Sequence, residues 1–209
     1  MLNSKNIQIY TKDYFIKDAD IYWAVVASVY KNKWIFVKLR DRKTWEMPWG
    51  KKHQNETIYT CAERELKEET GAKIYDIEHF WYSSFEDLEW NIYYVALYFA
   101  QIFELEDLSE NSEIWKIDFC EEFPTELTYP DDVNTLFPFF VKFRKYMESW
   151  KDYEDEEKSL KELEKNRPNM TKTEQNQYSI KEICKQKAYL KTVEEMIDVE
   201  KDLETLMKN

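Results

Sequence analysis

Apolar positions follow two spacings along this chain. Tyr22 to Tyr30 (YWAVVASVY) and Trp34 to Leu39 are β-rich runs flanking Lys31-Asn32-Lys33, which predicts a hairpin. Asn91 to Phe103 is a long run of Tyr, Ile, Val and Phe, and Glu113 to Phe119 alternates as a strand does. Thr57 to Thr70 contains neither Gly nor Pro, and its Ile58, Ala62 and Leu66 recur every four residues. That spacing predicts a helix with one apolar stripe, with Asn55 or Thr57 as its cap and Gly71 just past its end. A second helix is predicted over Asp131 to Trp150, after Pro130. Strands surrounding two helices imply an α/β or α+β sandwich.

The pattern changes near Trp150. All eight tryptophans lie in the first 150 residues, whereas residues 151–209 hold only Tyr153, Tyr178 and Tyr189 as aromatics. The core is therefore expected in residues 1–149, with residues 150–209 as a helical C-terminal extension. The extension reads as helical twice over, broken near Asn166 to Thr173 by Pro168. In its second half Ile180, Ile183, Leu190, Val193, Ile197, Leu203 and Leu206 are spaced mainly by three, four and seven, an amphipathic pattern. It is expected to pack on the core or on a second subunit, giving a homodimer through the C-terminal helices; a partner-recruiting tail is the alternative.

Charge and cysteine usage narrow the function. Thirty basic and 42 acidic side chains give a net charge of −12, which argues against a non-specific nucleic-acid binder. Such a chain suits an anionic ligand when a metal ion stands between the two. Cys61, Cys120 and Cys184 are odd in number and form no CxxC pair, which speaks against a disulfide framework or zinc ribbon and for a reducing cytosol. Met1 to Asp18 has no apolar signal core. Ile21 to Tyr30, the longest strongly apolar run, is far short of the ~20 residues of a bilayer span. The expectation is a cytoplasmic protein with no membrane association.

Glycine locates the chemistry. Average usage predicts about 15 in a chain of this length, yet there are two, Gly50 and Gly71, so both are expected to serve the backbone. Between them runs GKKHQNETIYTCAERELKEETG. On the predicted helix Glu65, Glu68 and Glu69 project from one side, away from the apolar stripe, with Arg64 one turn before Glu68. Clustered carboxylates are tolerable in water, against Arg64, or around a cation. Oxygen-only donors suit Mg²⁺ (or Mn²⁺), which completes its shell with water and substrate phosphates.

The segment satisfies GX5EX7REUXEEXGU, with U apolar, at Gly50, Glu56, Arg64, Glu65, Leu66, Glu68, Glu69, Gly71 and Ala72. This is the signature of the Nudix hydrolases, and the chain resembles that family over roughly residues 20–148. The resemblance implies an α/β/α sandwich with a mixed sheet, and Mg²⁺-dependent hydrolysis of a nucleoside diphosphate linked to another group. It implies that Glu68 and Glu69 bind metal, that Glu65 is a ligand or the general base, and that Arg64 orients Glu65. Glu56 would hold the network by charge pairing, and the Trp49 carbonyl would join the metal shell. Many MutT-like members carry Pro-Gly-Gly before the box, where this chain has Pro48-Trp49-Gly50, and Trp49 lacks glycine's access to positive φ.

Two further segments resemble the MutT-like branch that hydrolyses oxidised purine nucleoside triphosphates. Leu39 to Pro48 (LRDRKTWEMP) resembles its approach to the box, and Tyr129-Pro130-Asp131-Asp132 followed by Leu136-Phe137-Pro138 resembles its base pocket. By that resemblance Tyr129 stacks on the base while Asp131 and Asp132 read its polar edge, and Glu113 is an extra acid directed at the metal. Pro-Asp-Asp is equally an ordinary helix start. The reaction expected is hydrolysis of a purine nucleoside triphosphate, oxidised or not, to monophosphate and pyrophosphate. Hydrolysis of ADP-ribose, a nucleotide sugar or an RNA 5′ end, and a non-catalytic nucleotide sensor, are the rivals. His53 and His79 are expected to be surface residues, and Cys61 a core residue.

Overall fold

The computed structural model of the chain describes residues 5–11, 14–87 and 89–166, together with Leu190, Lys191, Glu194, Asp198, Lys201 and Thr205. The chain divides into two compact units, Met1–Phe140 and Val141–Asn209. Among the described residues, seven strands and two long helices follow in the order β1 (Lys5–Thr11), β2 (Ile21–Tyr30), β3 (Lys33–Leu39), β4 (Trp49–Lys51), α1 (Ile58–Thr70), β5 (Ala72–Glu86), β6 (Ile92–Leu105), β7 (Ile114–Cys120) and α2 (Pro130–Asn166). The compositional break near Trp150 falls inside α2, whose residues from Val141 on belong to the second unit. There the helix surface carries pairs one turn apart, Arg144 with Glu148 and Lys161 with Glu157. The expected break near Asn166 to Thr173 and nearly all of the second amphipathic run lie outside the described residues.

The sheet runs β1-β5-β6-β2-β3-β7, with β4 also paired to β2. The β2–β6 pairing is parallel and the others are antiparallel, so the sheet is mixed. Period-two alternation splits its side chains between two faces. Ala24 and Val26 of β2, Ile35 and Val37 of β3, and Ala96, Tyr98 and Ala100 of β6 form one core with Ile58, Cys61, Ala62 and Leu66 of α1. On the other face Trp34 and Phe36 meet Phe137, and Phe80 meets Phe140, so the first turns of α2 cover it. Helices on both faces of a mixed sheet make the α/β/α sandwich.

The hairpin between β2 and β3 turns on Lys31 and Asn32, with φ of 47° and 68°. Two successive positive φ values match the right-handed strand twist, and Asn tolerates that region well. Strands β1 and β5 have no counterpart in the sequence reading. β1 is a short strand at the sheet edge. β5 opens with Lys73, Asp76 and Glu78 among its apolar residues, so no continuous apolar run marks it. Among the described residues, no helix is long and apolar enough to cross a membrane.

Helix α1 is tied at both ends. Thr57 caps it by accepting the Thr60 N–H at 3.1 Å, while Thr60 Oγ1 accepts the Thr57 N–H at 3.0 Å. The first helical N–H, of Ile58, goes to Asp18 Oδ1 at 2.8 Å, and Asp18 also pairs with Lys52 at 2.7 Å. Gly71 ends the helix in the left-handed region, at φ 72°, with its N–H on the Lys67 carbonyl. A Cβ at Gly71 would meet the Glu106 carbonyl oxygen at 2.2 Å. Gly71→Ala is therefore expected to cost about 2 kcal/mol or more of stability in urea unfolding, from backbone strain together with that clash.

Candidate active site

Strand β4 lies along α1, meeting it at Cys61, Glu65 and Glu69, and the two bring the box residues together. Trp49 and Gly50 pair with Val25 and Ala24 of β2, and the Pro48 carbonyl accepts the Val26 N–H at 2.8 Å. Trp49 sits at ordinary negative φ in extended backbone, so this loop never needs the conformation that only a glycine enters readily. Gly50 is required for a different reason. A Cβ there would stand 1.7 Å from Glu65 Oε1 and 1.9 Å from its Cδ, so only hydrogen leaves room for that carboxylate. The expectation that both glycines serve backbone conformation holds for Gly71, while Gly50 serves close approach.

A single guanidinium organises three carboxylates. Arg64 donates through Nε to Glu56 Oε1 at 2.6 Å and through Nη2 to Glu56 Oε2 at 3.1 Å, a forked pair. Its Nη1 reaches Glu65 Oε1 at 2.6 Å and Glu68 Oε2 at 3.2 Å, and Nη2 also donates to the Lys51 carbonyl at 3.1 Å. Glu56 Oε2 in turn accepts the His53 N–H at 2.9 Å. The Arg64 hydrogen bonds hold Glu56 down to about 2. The same contacts raise Arg64, led by Glu56 and followed by Glu65.

Glu69 has a different partner, the Trp49 main-chain N–H, which donates to its Oε2 at 3.0 Å. Burial pushes the Glu69 carboxyl well above its ordinary range against that hydrogen bond, and the charges of Glu65, Glu46 and Glu113 add to the rise. Glu65 is also raised, first by burial and then by Glu68 and Glu56, with Arg64 pulling the other way. Among the described residues, no three His, Cys, Asp or Glu side chains already close round one point. Glu65 instead turns onto Arg64 and Glu69 onto the backbone. The donor chemistry nevertheless fits a hard divalent cation: all the donors are oxygens, and charges that repel at close quarters are relieved by a cation between them.

These acids face one cleft, whose walls include Glu65, Glu68, Glu69, Glu113 and Arg64 together with the 106–109 loop. Glu68 is the most exposed of the box acids, at 61%. On the other side of Trp49 lies an apolar pocket lined by Trp23, Val25, Met47, Trp49, Phe85, Val95, Tyr129 and Leu136, with Glu46 and Asp132 among its polar members. The Trp49 and Tyr129 rings meet edge to face, with centroids 5.4 Å apart. Trp49 thus belongs to both places: its main chain holds Glu69 and its side chain walls the pocket.

The structure brings Arg64, Glu65, Glu68, Glu69 and Glu113 to the cleft, and Trp49, Tyr129 and Asp132 to the pocket. Gly50, Glu56, Leu66 and Gly71 support them. Asp131 stands apart: it is exposed in the first turn of α2 and is not in the pocket wall. Tyr129 accepts the Val133 N–H through its carbonyl, so Pro130 opens the helix and Asp131 is a first-turn acid. Sequence reasoning passed over Glu46, which is 2% exposed and holds Arg42 at 2.6 Å. The four-residue spacing of Arg42 and Glu46 was the available signal. It also passed over Asp18, since nothing local in sequence ties that residue to a helix forty positions on. Of the remaining expectations, Cys61 is buried in the core, His53 is exposed at the cleft rim and His79 is half-buried against Tyr98.

Because Glu56 is lowered in the folded chain, its contribution to stability is present above the ordinary carboxylate pKa. It fades as pH falls from about 4.5 towards about 2. Glu56→Gln is therefore expected to destabilise the protein at pH 7, with the difference from wild type vanishing over that window in chemical denaturation at stepped pH.

A family model described as the NUDIX domain matches residues 23–132. Among solved structures the chain is similar to a mutant of the Bacillus subtilis pyrophosphohydrolase BsRppH, at 23% identity and a TM-score of 0.57, covering 66% of this chain and 90% of that one. It is also similar to an ADP-ribose pyrophosphatase from Streptococcus suis (18% identity, TM-score 0.37, 51% and 78% covered) and to a UDP-X diphosphatase (18%, 0.41, 56% and 59%). No curated protein matches it. The likeness to the BsRppH structure speaks to the fold alone; membership rests on the family model, whose match spans more than half of the chain and contains the whole of Gly50 to Ala72. The chain belongs to the Nudix hydrolase family.

Proposed function

We propose that the protein is a Mg²⁺-dependent pyrophosphohydrolase that converts a purine nucleoside triphosphate, oxidised purines included, to the monophosphate and pyrophosphate. The observation that carries this reading is the position of Trp49 between the carboxylate cleft and an aromatic pocket. A flat base seated beside Trp49 and Tyr129 would place its phosphates toward Glu65, Glu68 and Glu69. Aromatic faces hold a base, and nearby carboxyls distinguish donors from acceptors on its edge.

In this reading Glu65, Glu68 and Glu69, with Glu113 and the Trp49 carbonyl, hold the divalent ion. The bound ion neutralises phosphate charge and lowers the pKa of water. Glu65, raised by its burial, is suited to take a proton from the attacking water, although the same position also suits a ligand. Arg64 fixes where Glu65 points, and Glu56 fixes Arg64. Water adds to a phosphorus of the anhydride and the bond to the bridging oxygen breaks, leaving monophosphate and pyrophosphate. We assign residues 150–209 to assembly of a homodimer.

A panel of nucleoside triphosphates, 8-oxo-dGTP, ADP-ribose, a nucleotide sugar and 5′-triphosphorylated RNA, assayed with Mg²⁺ and with products identified, tests the proposal. Purine triphosphates are expected to give monophosphate and pyrophosphate; turnover confined to another member of the panel would replace the substrate assignment. Tyr129→Ala is expected to weaken purine discrimination more than turnover.

Two variants separate chemistry from folding. Glu69→Gln keeps an acceptor for the Trp49 N–H while removing an ionisable group that its surroundings disfavour in charged form. It is expected to melt at or above the wild-type temperature without metal, to gain nothing from Mg²⁺, and to lose about a hundredfold or more in kcat. Gly50→Ala is expected to push the Glu65 carboxylate aside, with a melting temperature close to wild type and a loss of about a hundredfold in kcat/KM.

A further inference from the structure

Among the described residues β7 is the outermost strand at one end of the sheet, and the bonding of β3 shows which of its groups face outward. Val37 of β3 exchanges both of its main-chain hydrogen bonds with Glu46, so none is left for its cross-strand partner Ile117. Antiparallel ladders alternate between bonded and non-bonded pairs. The N–H and C=O of Ile117 therefore point away from β3, and they meet no partner among the described residues. Phe119 is turned the same way, and its N–H goes instead to its own Asp118 Oδ1 at 3.0 Å. Trp115 has no partner on β3, because the register shifts between Lys38 and Leu39. It is 57% exposed, and Phe119 is 38% exposed.

The charges on this edge lack counterparts. Lys116 stands directly opposite Lys38, and both ammonium groups lie over the Trp45 ring, 5.3 and 4.4 Å from its centre. Like charges directly opposite each other on a sheet are unfavourable. Asp118, two residues on and on the same face, accepts from the Phe119 N–H and the Cys120 thiol. Among the described residues no carboxylate pairs with Lys38 or Lys116, and no lysine or arginine pairs with Asp118.

We propose that β7 is a self-pairing edge: a second copy of this chain adds its own β7 antiparallel to the first, about a two-fold axis at Ile117. In that register Ile117 meets Ile117 of the second copy, and the two exchange both outward main-chain hydrogen bonds. Lys116 meets Asp118 of the second copy, and Asp118 meets its Lys116, each as a close non-bonded pair. Trp115 meets Phe119, so exposed rings cover one another twice. The residues around Ile117 are thus complementary to themselves in reverse order. Slipping the pairing by two residues sets lysine against lysine or aspartate against aspartate. Slipping it by one turns the second copy over, face for face. Lysine on an edge strand ordinarily discourages pairing; here it leaves one register open. The contact is independent of the nucleotide reading and of residues 150–209, since it uses neither.

Disulfide trapping in the full-length chain tests the register. With Cys120→Ser removing the neighbouring thiol, Ile117→Cys is expected to oxidise to a covalent dimer, its Cα atoms about 5.5 Å apart across the axis. Phe119→Cys in the same background is expected to cross-link at least tenfold less, because its two copies lie roughly 13 Å apart along the strands. Charge reversal is the second measurement, and it decides alone if Ile117→Cys fails to fold. Lys116→Asp and Asp118→Lys are each expected to weaken association of copies at least tenfold in sedimentation analysis. The double reversal restores opposite charges across the axis and is expected to recover it. Cross-linking at 117 no greater than at 119, or a chain that stays monomeric at every concentration, overturns the proposal. So does association indifferent to the single reversals, or a double reversal as weak as either of them.

Discussion

Like charges gathered at one end of a cleft repel one another, and much of this site exists to manage that repulsion. Arg64 holds Glu56, Glu65 and Glu68 with one guanidinium, and the Trp49 main-chain N–H holds Glu69. The consequences differ by residue. Glu56, paired through a fork, is strongly favoured in its ionised form, whereas Glu65 and Glu69, desolvated beside other acids, are held above their ordinary range. A polyanionic cleft in a protein of net charge −12 would repel a phosphate ester. A divalent cation held there, as proposed, would reverse that local sign, and the same carboxylates would then be the means of binding an anion.

The fold serves this arrangement by fixing one helix. α1 is anchored by its stripe of Ile58, Ala62 and Leu66, capped by Thr57, and held at its first N–H by Asp18 from the turn before β2. Its far end stops where Gly71 enters the left-handed region beneath the Glu106 carbonyl. With both ends and one face fixed, the carboxylates on the other face are set relative to β4. Gly50 lets the two elements approach closely enough for Glu65 to lie on the strand.

The helix and the box were legible because their signals are local: a four-residue apolar period, a capping threonine, a terminal glycine, and acids at fixed spacing. The β2–β3 hairpin, β6 and β7 were legible as apolar or alternating runs. β5 was not, because its partners β1 and β6 shelter a segment whose own sequence alternates Lys73, Asp76 and Glu78 with apolar residues. The link from Asp18 to Ile58 depends on a tertiary contact and leaves no pattern in sequence. Tyr129, Asp131 and Asp132 look alike as a candidate pocket in one dimension. The helix start at Pro130 turns Tyr129 and Asp132 to the pocket and leaves Asp131 in solvent. Trp49, which departs from the commoner Gly-Gly, could be identified as unusual from sequence, but its double position required the fold.

The most direct test of the central claim is anomalous scattering from a crystal of this protein soaked with Mn²⁺. The account requires density for an ion within coordination distance of Glu65, Glu68 and Glu69, with the Glu65 carboxylate drawn off Arg64 toward it. A soaked crystal with no ion beside those three residues, or with manganese bound only elsewhere on the acidic surface, would contradict it.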